Sequence, residues 1–243
     1  MRYKVTLAYD GNHYNGFQSQ INAPTIQDEL ERVIQIIFKK KIRLVMASRT
    51  DAGVHAKGQV FHFDSERNMD PFKLKGSFNG LLSKDIHVLK VEKVSDKFHA
   101  QFSVKSKTYE YLINIGEYDV FLNGYAYQCY YKLDLEKMKK CAELFLGTHD
   151  FASFNTSTYE EKPDQHRTIS EFRMTKTGNL LKIRVTGDGF MRNMVRIMVG
   201  TLIDVGRGKK SIDDVREMLN NPCKGTKRYN ISPSGLYLIK IRY

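Results

Sequence analysis

The chain has 243 residues, 41% of them apolar and 27% charged, and its 39 Lys and Arg against 27 Asp and Glu give a formal charge of +12 at pH 7. This balance excludes a disordered chain, allows one large domain or two ordinary ones, and points to a polyanionic partner. No window nears the roughly twenty apolar residues of a membrane span, the N-terminal MRYKVTLAYDG lacks a signal-peptide run, and Cys129, Cys141 and Cys223 form no CxxC; a cytoplasmic protein without disulfide framework or zinc site is expected.

In chain order, Tyr3, Val5, Leu7 and Tyr9 alternate with polar or small residues, which predicts a half-buried strand closed by the turn Asp10-Gly11-Asn12. The aromatic, glycine-bearing loop HYNGFQSQ follows. Thr25 then reads as an N-cap, with Asp28 and Glu29 in the first turn, Ile26, Leu30, Val33, Ile34 and Ile37 at helical spacing, and Lys39-Lys40-Lys41 closing the helix. A strand is expected over 42–46, a charged loop over 47–59, a strand over 59–64, a helix over 71–82, and strands over 86–94 and 107–115, the last with Tyr109, Tyr111 and Ile113 on one face.

Asp134 introduces an amphipathic helix over 135–146, and strands are expected over 166–175 and 180–186 around Thr177-Gly178-Asn179. The segment 189–205 reads as the most apolar helix, with Phe190, Met194, Ile197, Met198 and Leu202 inward. A short helix over 211–219 and a strand over 235–243 complete the pattern, and the polar stretch 155–165 is the expected mobile loop. Short connections and an excess of strands favour an antiparallel α+β sheet flanked by helices over a doubly wound parallel one. The organisation expected is two similar α+β halves, 1–117 and 118–243, around a shared cleft.

Chemistry concentrates in ASRTDAGVHAKGQ, 47–59, which sets Arg49 and Asp51 among glycines between two strands, so that a charged group can sit over a sheet edge while a ligand approaches closely. An isolated RxD in a loop would more often be a turn cap beside a solvated arginine. The chain holds no GxGxxG, no GxxxxGK[ST], no HExxH, no GxSxG and no zinc-deaminase pattern. No metal or nucleotide cofactor is expected. His55 reads as a backbone hydrogen-bonder, and His62 and His99 as groups in or near strands. Arg196, between Met194, Val195, Ile197 and Met198, either snorkels from its helix or meets a buried anion. Tyr109 alone would read as a sheet-face aromatic.

The string SRTDAGVHAKGQVFHFD resembles the signature of the TruA family of tRNA pseudouridine synthases, usually written GRTDAGVHA. Five further blocks resemble the family in order: YDGNHYNGFQ, FHAQFS before KTYEYLI, HDFASF, GFMRNMVRIMVGTLIDVG and GLYL. The resemblance implies two RRM-like halves sharing a mainly antiparallel sheet, with the active-site cleft between them. It also implies cofactor-free isomerisation of uridine in the tRNA anticodon stem-loop, at about positions 38 to 40 in tRNA convention, by a homodimer. Asp51 matches the catalytic aspartate, Arg49 the arginine beside it, Tyr109 the active-site tyrosine, Arg196 an arginine that pairs with the aspartate, and Leu236 a residue packed near the base.

Those residue types suit the chemistry. A partly dry carboxylate stays ionised when a cation offsets its desolvation, and the guanidinium of Arg196 keeps its charge and offers a fork. Asp51 either attacks C1′ or first takes a proton from C2′. A base inside a stem or stacked loop must be flipped out; Tyr109 can stack on it, and Arg49 can fill the vacated position or hold the flipped backbone. Ser48 stands where the family has Gly, so either no positive φ is required there or the loop has shifted slightly, and NISPSGLYL replaces TAPAxGLYL; both differences bear on substrate choice, and a paralogue acting on other uridines is open. A non-catalytic RNA-binding protein would share the charge and aromatics but has no use for Arg49, Asp51 and Arg196 together. A metal-free nucleoside hydrolase would release free uracil.

Overall fold

Strand β1 (Arg2–Tyr9) buries every second residue, and in the computed structural model, which describes residues 1–243, it is the spine of the first of two compact units. That unit comprises Met1–Lys105 with Tyr237–Tyr243, and the second comprises Ser106–Leu236. The expected division at 117/118 runs differently: β5 (Ser106–Asn114) belongs to the second unit because it pairs along its length with β9 (Leu180–Gly187), and the chain's last residues return to the first.

In the first unit, β1 lies between β3 (His55–Asp64) and β4 (Ile86–Val94), antiparallel to both, and β10 (Leu236–Arg242) pairs in parallel with β3 at Tyr237 and Leu238. Helix α1 (Ile26–Phe38) starts where Thr25 accepts the Asp28 N–H at 3.2 Å and ends at Lys39 in the left-handed conformation, with φ 57°. Its Leu30, Val33 and Ile34 are buried, as are Tyr3, Val5 and Leu7 of β1 and Phe61 and Phe63 of β3. Helix α2 (Pro71–Leu81) begins at Asp70, whose carboxylate accepts the Lys73 N–H at 3.0 Å, and contributes Leu74 and Phe78. Ring contacts knit this core: Tyr3 stacks on Phe63 at 5.4 Å, and Phe78 meets Phe61 edge-on at 6.4 Å.

The second unit also alternates strands and helices, but with three strands between its first two helices. After β5 come the two-residue β6 (Tyr127–Gln128), α3 (Leu135–Glu143), β7 (Gly147–Asp150), β8 (His166–Thr177), β9, α4 (Met194–Gly206) and α5 (Ile212–Asn220), with antiparallel order β5-β9-β8-β7. Asp134 caps α3, and Ser211 and Asp214 form a full capping box on α5. The protein is thus α+β with mainly antiparallel pairing, as expected, and none of its helices is long and apolar enough to cross a membrane.

Several elements depart from expectation, the unread β6 among them. Strand β2 (Val45–Met46) is only two residues long, because the Leu44 N–H is taken by the Glu31 carboxylate at 3.2 Å. Strand β3 begins at His55 rather than 59, drawn out by its pairing with β10. Helix α4 begins at Met194 rather than 189: Asn193 is left-handed, with φ 61°, and its amide bonds Thr156 Oγ1 at 2.9 Å. Strand β7, unread in the sequence, is the edge beside β8. The loop over 155–165 is tied down at its root, where Asn155 donates to Phe151 O and Gln165 Oε1, both at 2.7 Å, and the Lys224 ammonium donates to the side-chain oxygens of both Asn155 and Gln165.

His62 on β3 is buried and its Nδ1 accepts the Ala100 N–H at 3.1 Å. Burial first, then the charges of Arg2 and His99, push its pKa down to about 4, against the opposing pull of Asp64. A neutral folded histidine with a depressed pKa contributes stability that is complete above about 6.5 and is lost as pH falls through about 4. His62→Gln keeps a carbonyl acceptor but removes the titration. Urea unfolding at stepped pH should therefore show a shallower loss of stability between pH 6.5 and 4 in the variant; equal slopes would defeat the assignment.

Candidate functional site

The loop bearing Asp51 is held from both sides by the segment that follows β1. Tyr9 hydroxyl and Thr50 Oγ1 are 2.7 Å apart, the Phe17 N–H donates to Thr50 O at 3.2 Å, and the Gly53 N–H donates to Tyr14 O at 3.3 Å. Asp51 itself heads a tight turn, its carbonyl accepting the Val54 N–H at 3.1 Å. Such proximity needs glycine. A Cβ on Gly11 would collide with the Val54 carbonyl oxygen, and one on Gly16, whose φ is +89°, would lie 2.6 Å from Thr50 O.

The loop's flanks are equally fixed. Ser48 is buried and outside the left-handed region, and its carbonyl accepts the Gln59 amide at 2.8 Å, so serine is accommodated where the family pattern has glycine. His55 Nδ1 accepts the Gly11 N–H at 3.1 Å and lies 3.2 Å from Asp10 Oδ1, and its ring stacks on Tyr237 at 4.7 Å. The predicted role of His55 as a backbone hydrogen-bonder holds. Asp51 is partly buried and Arg49 is exposed. No three His, Cys, Asp or Glu side chains gather as a metal set.

In the second unit, β5 turns Lys107, Tyr109 and Tyr111 to one face and Glu110 to the other, where Glu110 takes Arg184 at 2.6 Å. Tyr109 is 6% exposed and meets Phe190 edge-on at 5.2 Å. Arg196, on the first turn of α4, donates from Nε to Ile231 O at 2.7 Å and from Nη1 to Asn193 Oδ1 at 2.8 Å, so its plane is fixed. The Tyr111 hydroxyl donates to Ser232 O at 2.5 Å, and burial drives its pKa up although the Arg196 charge opposes this. Both residues therefore grip the segment that leads into Leu236, itself buried. Arg196, Leu236 and the tyrosine strand are brought together here. Asn193 and Ile231, which set the guanidinium, carry no motif signal; only the left-handed preference of Asn in RNM hints at the first.

Lys107 lies two positions before Tyr109 on the same strand face. Burial, then the charges of Arg167 and Lys162, push its pKa down to about 8. Three cations thus gather without an ion pair at any of them, although the Asp164 carboxylate acts on Arg167, and such a gathering favours an anion.

A family model described as tRNA pseudouridine synthase matches residues 6–103 and 141–243. A tRNA pseudouridine synthase A from Bacillus licheniformis is 45% identical over 246 residues, covering 100% of this chain and 99% of the relative. Proteins of the same name from a Geobacillus species and from Bacillus subtilis are 43% and 42% identical, again over 100% of this chain and 98% and 99% of theirs. Asp51, Arg196 and Leu236 fall inside the matched segments, and Tyr109 falls between them, within the span that these relatives cover.

Gly16→Ala should lower stability by about 1–3 kcal/mol, because the new Cβ meets backbone at a positive φ. Gly76→Ala, on α2 with nothing within 4 Å of the added atom, should instead be neutral or stabilising by up to about 1 kcal/mol. Thermal unfolding of the two proteins checks this, and equal midpoints would refute the close approach.

Proposed function

We infer the function from one premise: the chain belongs to the tRNA pseudouridine synthase family. It is an isomerase that converts uridine in tRNA to pseudouridine. The reaction breaks the bond from uracil N1 to C1′ of the ribose, turns the base and joins C5 to C1′, while C5 loses a proton and N1 gains one. The target we assign is the anticodon stem-loop, at about positions 38 to 40 in tRNA convention, with a cytoplasmic homodimer as the working form.

The observation that carries the residue assignment is the mounting of Asp51. Its turn is bonded to residues 14 and 17 and lies in the matched signature, so the carboxylate starts from a preorganised backbone rather than a floppy loop. Asp51 acts as nucleophile at C1′ or as base at C2′. Arg196 keeps it ionised; a guanidinium whose Nε and Nη1 are already engaged presents its charge in one orientation. Tyr109, held edge-on by Phe190, offers a face to the flipped uracil, Leu236 packs beside it, and Arg49, exposed next to Asp51, occupies the place the base leaves or holds the flipped backbone. Lys107, Arg167 and Lys162 take a phosphate.

Asp51→Asn should abolish pseudouridine formation while leaving tRNA affinity within about threefold, since the amide keeps the shape but neither attacks nor takes a proton. Carbodiimide labelling of treated tRNA reads the product, and free uracil in the wild-type reaction would instead identify a hydrolase. Because Lys107 is charged below about 8 and neutral above it, tRNA affinity should weaken as pH rises through that value. Lys107→Arg should flatten the profile, and an unchanged profile would remove Lys107 from the phosphate site.

A further inference from the structure

Phe102 is 78% exposed, yet its ring and the turn that carries it are held in place. Its ring lies flat on the His99 imidazole, with centroids 4.3 Å apart and planes 22° from parallel. The turn beneath is closed from within: His99 N–H donates to Ser103 Oγ at 3.0 Å, Ser103 N–H to His99 O at 2.9 Å, and the N–H groups of Gln101 and Phe102 both donate to His99 Nδ1, at 3.2 and 3.1 Å. Those two bonds put the imidazole proton on Nε2 and prevent the ring from turning. The turn is also anchored outward, through Ala100 N–H to His62 Nδ1 at 3.1 Å and from the Tyr243 hydroxyl to Ala100 O at 2.9 Å. Phe72 and Phe121 are as exposed, but neither ring rests on another.

Leaving a phenylalanine in water forgoes the stabilisation that its burial would bring, so a turn that fixes one face and presents the other is suited to receiving a flat partner. The charge nearby is positive. Lys97 lies in the same turn, and Lys105, whose N–H donates to Arg242 O at 2.8 Å, follows it; none of these three exposed cations has a carboxylate partner. The acids nearby are engaged, Asp64 by Arg2 at 2.7 Å and Glu92 by Lys90 at 2.6 Å, leaving Asp96 beside Arg2. A planar group on an anionic chain is a nucleobase.

We propose that Phe102, backed by His99, is a stacking platform for an unpaired base of bound tRNA, distinct from the site of isomerisation and resting on the reading of the protein as a tRNA enzyme. The turn is anchored at the His62 end of β3, whereas Asp51 precedes the His55 end; seven residues of strand separate them by about 23 Å. The platform therefore holds a nucleotide well away from the uridine that reacts, and it contributes to binding rather than to chemistry.

The chain contains no tryptophan, so Phe102→Trp installs a sole indole reporter at the platform. Adding tRNA to this variant should quench and shift its emission saturably, at the concentration that saturates binding. Phe102→Ala should raise the tRNA Kd about tenfold or more, with the slope of log Kd against log salt unchanged because no phosphate contact is lost, and Phe102→Trp should bind like wild type. Unchanged emission, or an alanine variant that binds and modifies tRNA like the wild-type enzyme, overturns the platform while leaving the isomerase reading intact. A change in sedimentation of the alanine variant that accounts for its weaker binding would make the ring a contact between copies of the chain, and also overturns it. A wild-type protein that binds no tRNA would take away the premise itself.

Discussion

Everything around Asp51 depends on how closely two backbone segments approach. Residues 11–17 and 50–54 touch carbonyl to α-carbon, at a separation that only hydrogen at the Cα of Gly11 and Gly16 allows. A side chain at either place would push the turn outward and carry the carboxylate with it. The hydrogen bonds from Phe17 and Gly53 then convert proximity into a fixed backbone. A carboxylate on a loop is placed accurately only when a scaffold holds it, and here the scaffold is another loop braced by β1.

Arg196 is governed by the same economy of freedom. A long cation on an apolar helix has many rotamers, and each would present the charge differently. Bonds from Nε and Nη1 select one, using a side chain three residues back and a carbonyl from the segment before Leu236. Tyr111 holds the next carbonyl along, at Ser232. Leu236, the Arg196 cation and the aromatic strand are thereby linked by short connections inside one unit, so a change at Ile231 or Asn193 would be felt at the guanidinium without touching it.

Much of this was legible beforehand. Period-two alternation located β1 and β4, the turn Thr177-Gly178-Asn179 placed β8 and β9 on either side of it, and Thr25 and Asp134 marked two helix starts, because each of those signals is local. What was not legible depends on distant partners. Strand β3 starts early because β10 reaches it, β2 is cut short by Glu31, and α4 starts late because Thr156 holds Asn193. The site followed the same rule: a carboxylate among glycines is visible in a string, whereas the glycines that cradle it lie some forty residues earlier and the bonds that orient Arg196 leave no pattern.

The parallel pairing of β10 with β3 has a consequence for how the protein comes into being. Tyr237 and Leu238 align with His55 and Ala56, so the residues just after the Asp51 turn find their sheet partner only after some 180 further positions have been synthesised. During translation the first unit has β1, β3, β4 and both its helices long before it has β10, and loop closure over that span is entropically slow. The imidazole of His55 lacks its tyrosine cover for the same interval. Completion of the strand beside the Asp51 loop is thus among the last events of folding, which ties maturation of that turn to the arrival of distal sequence.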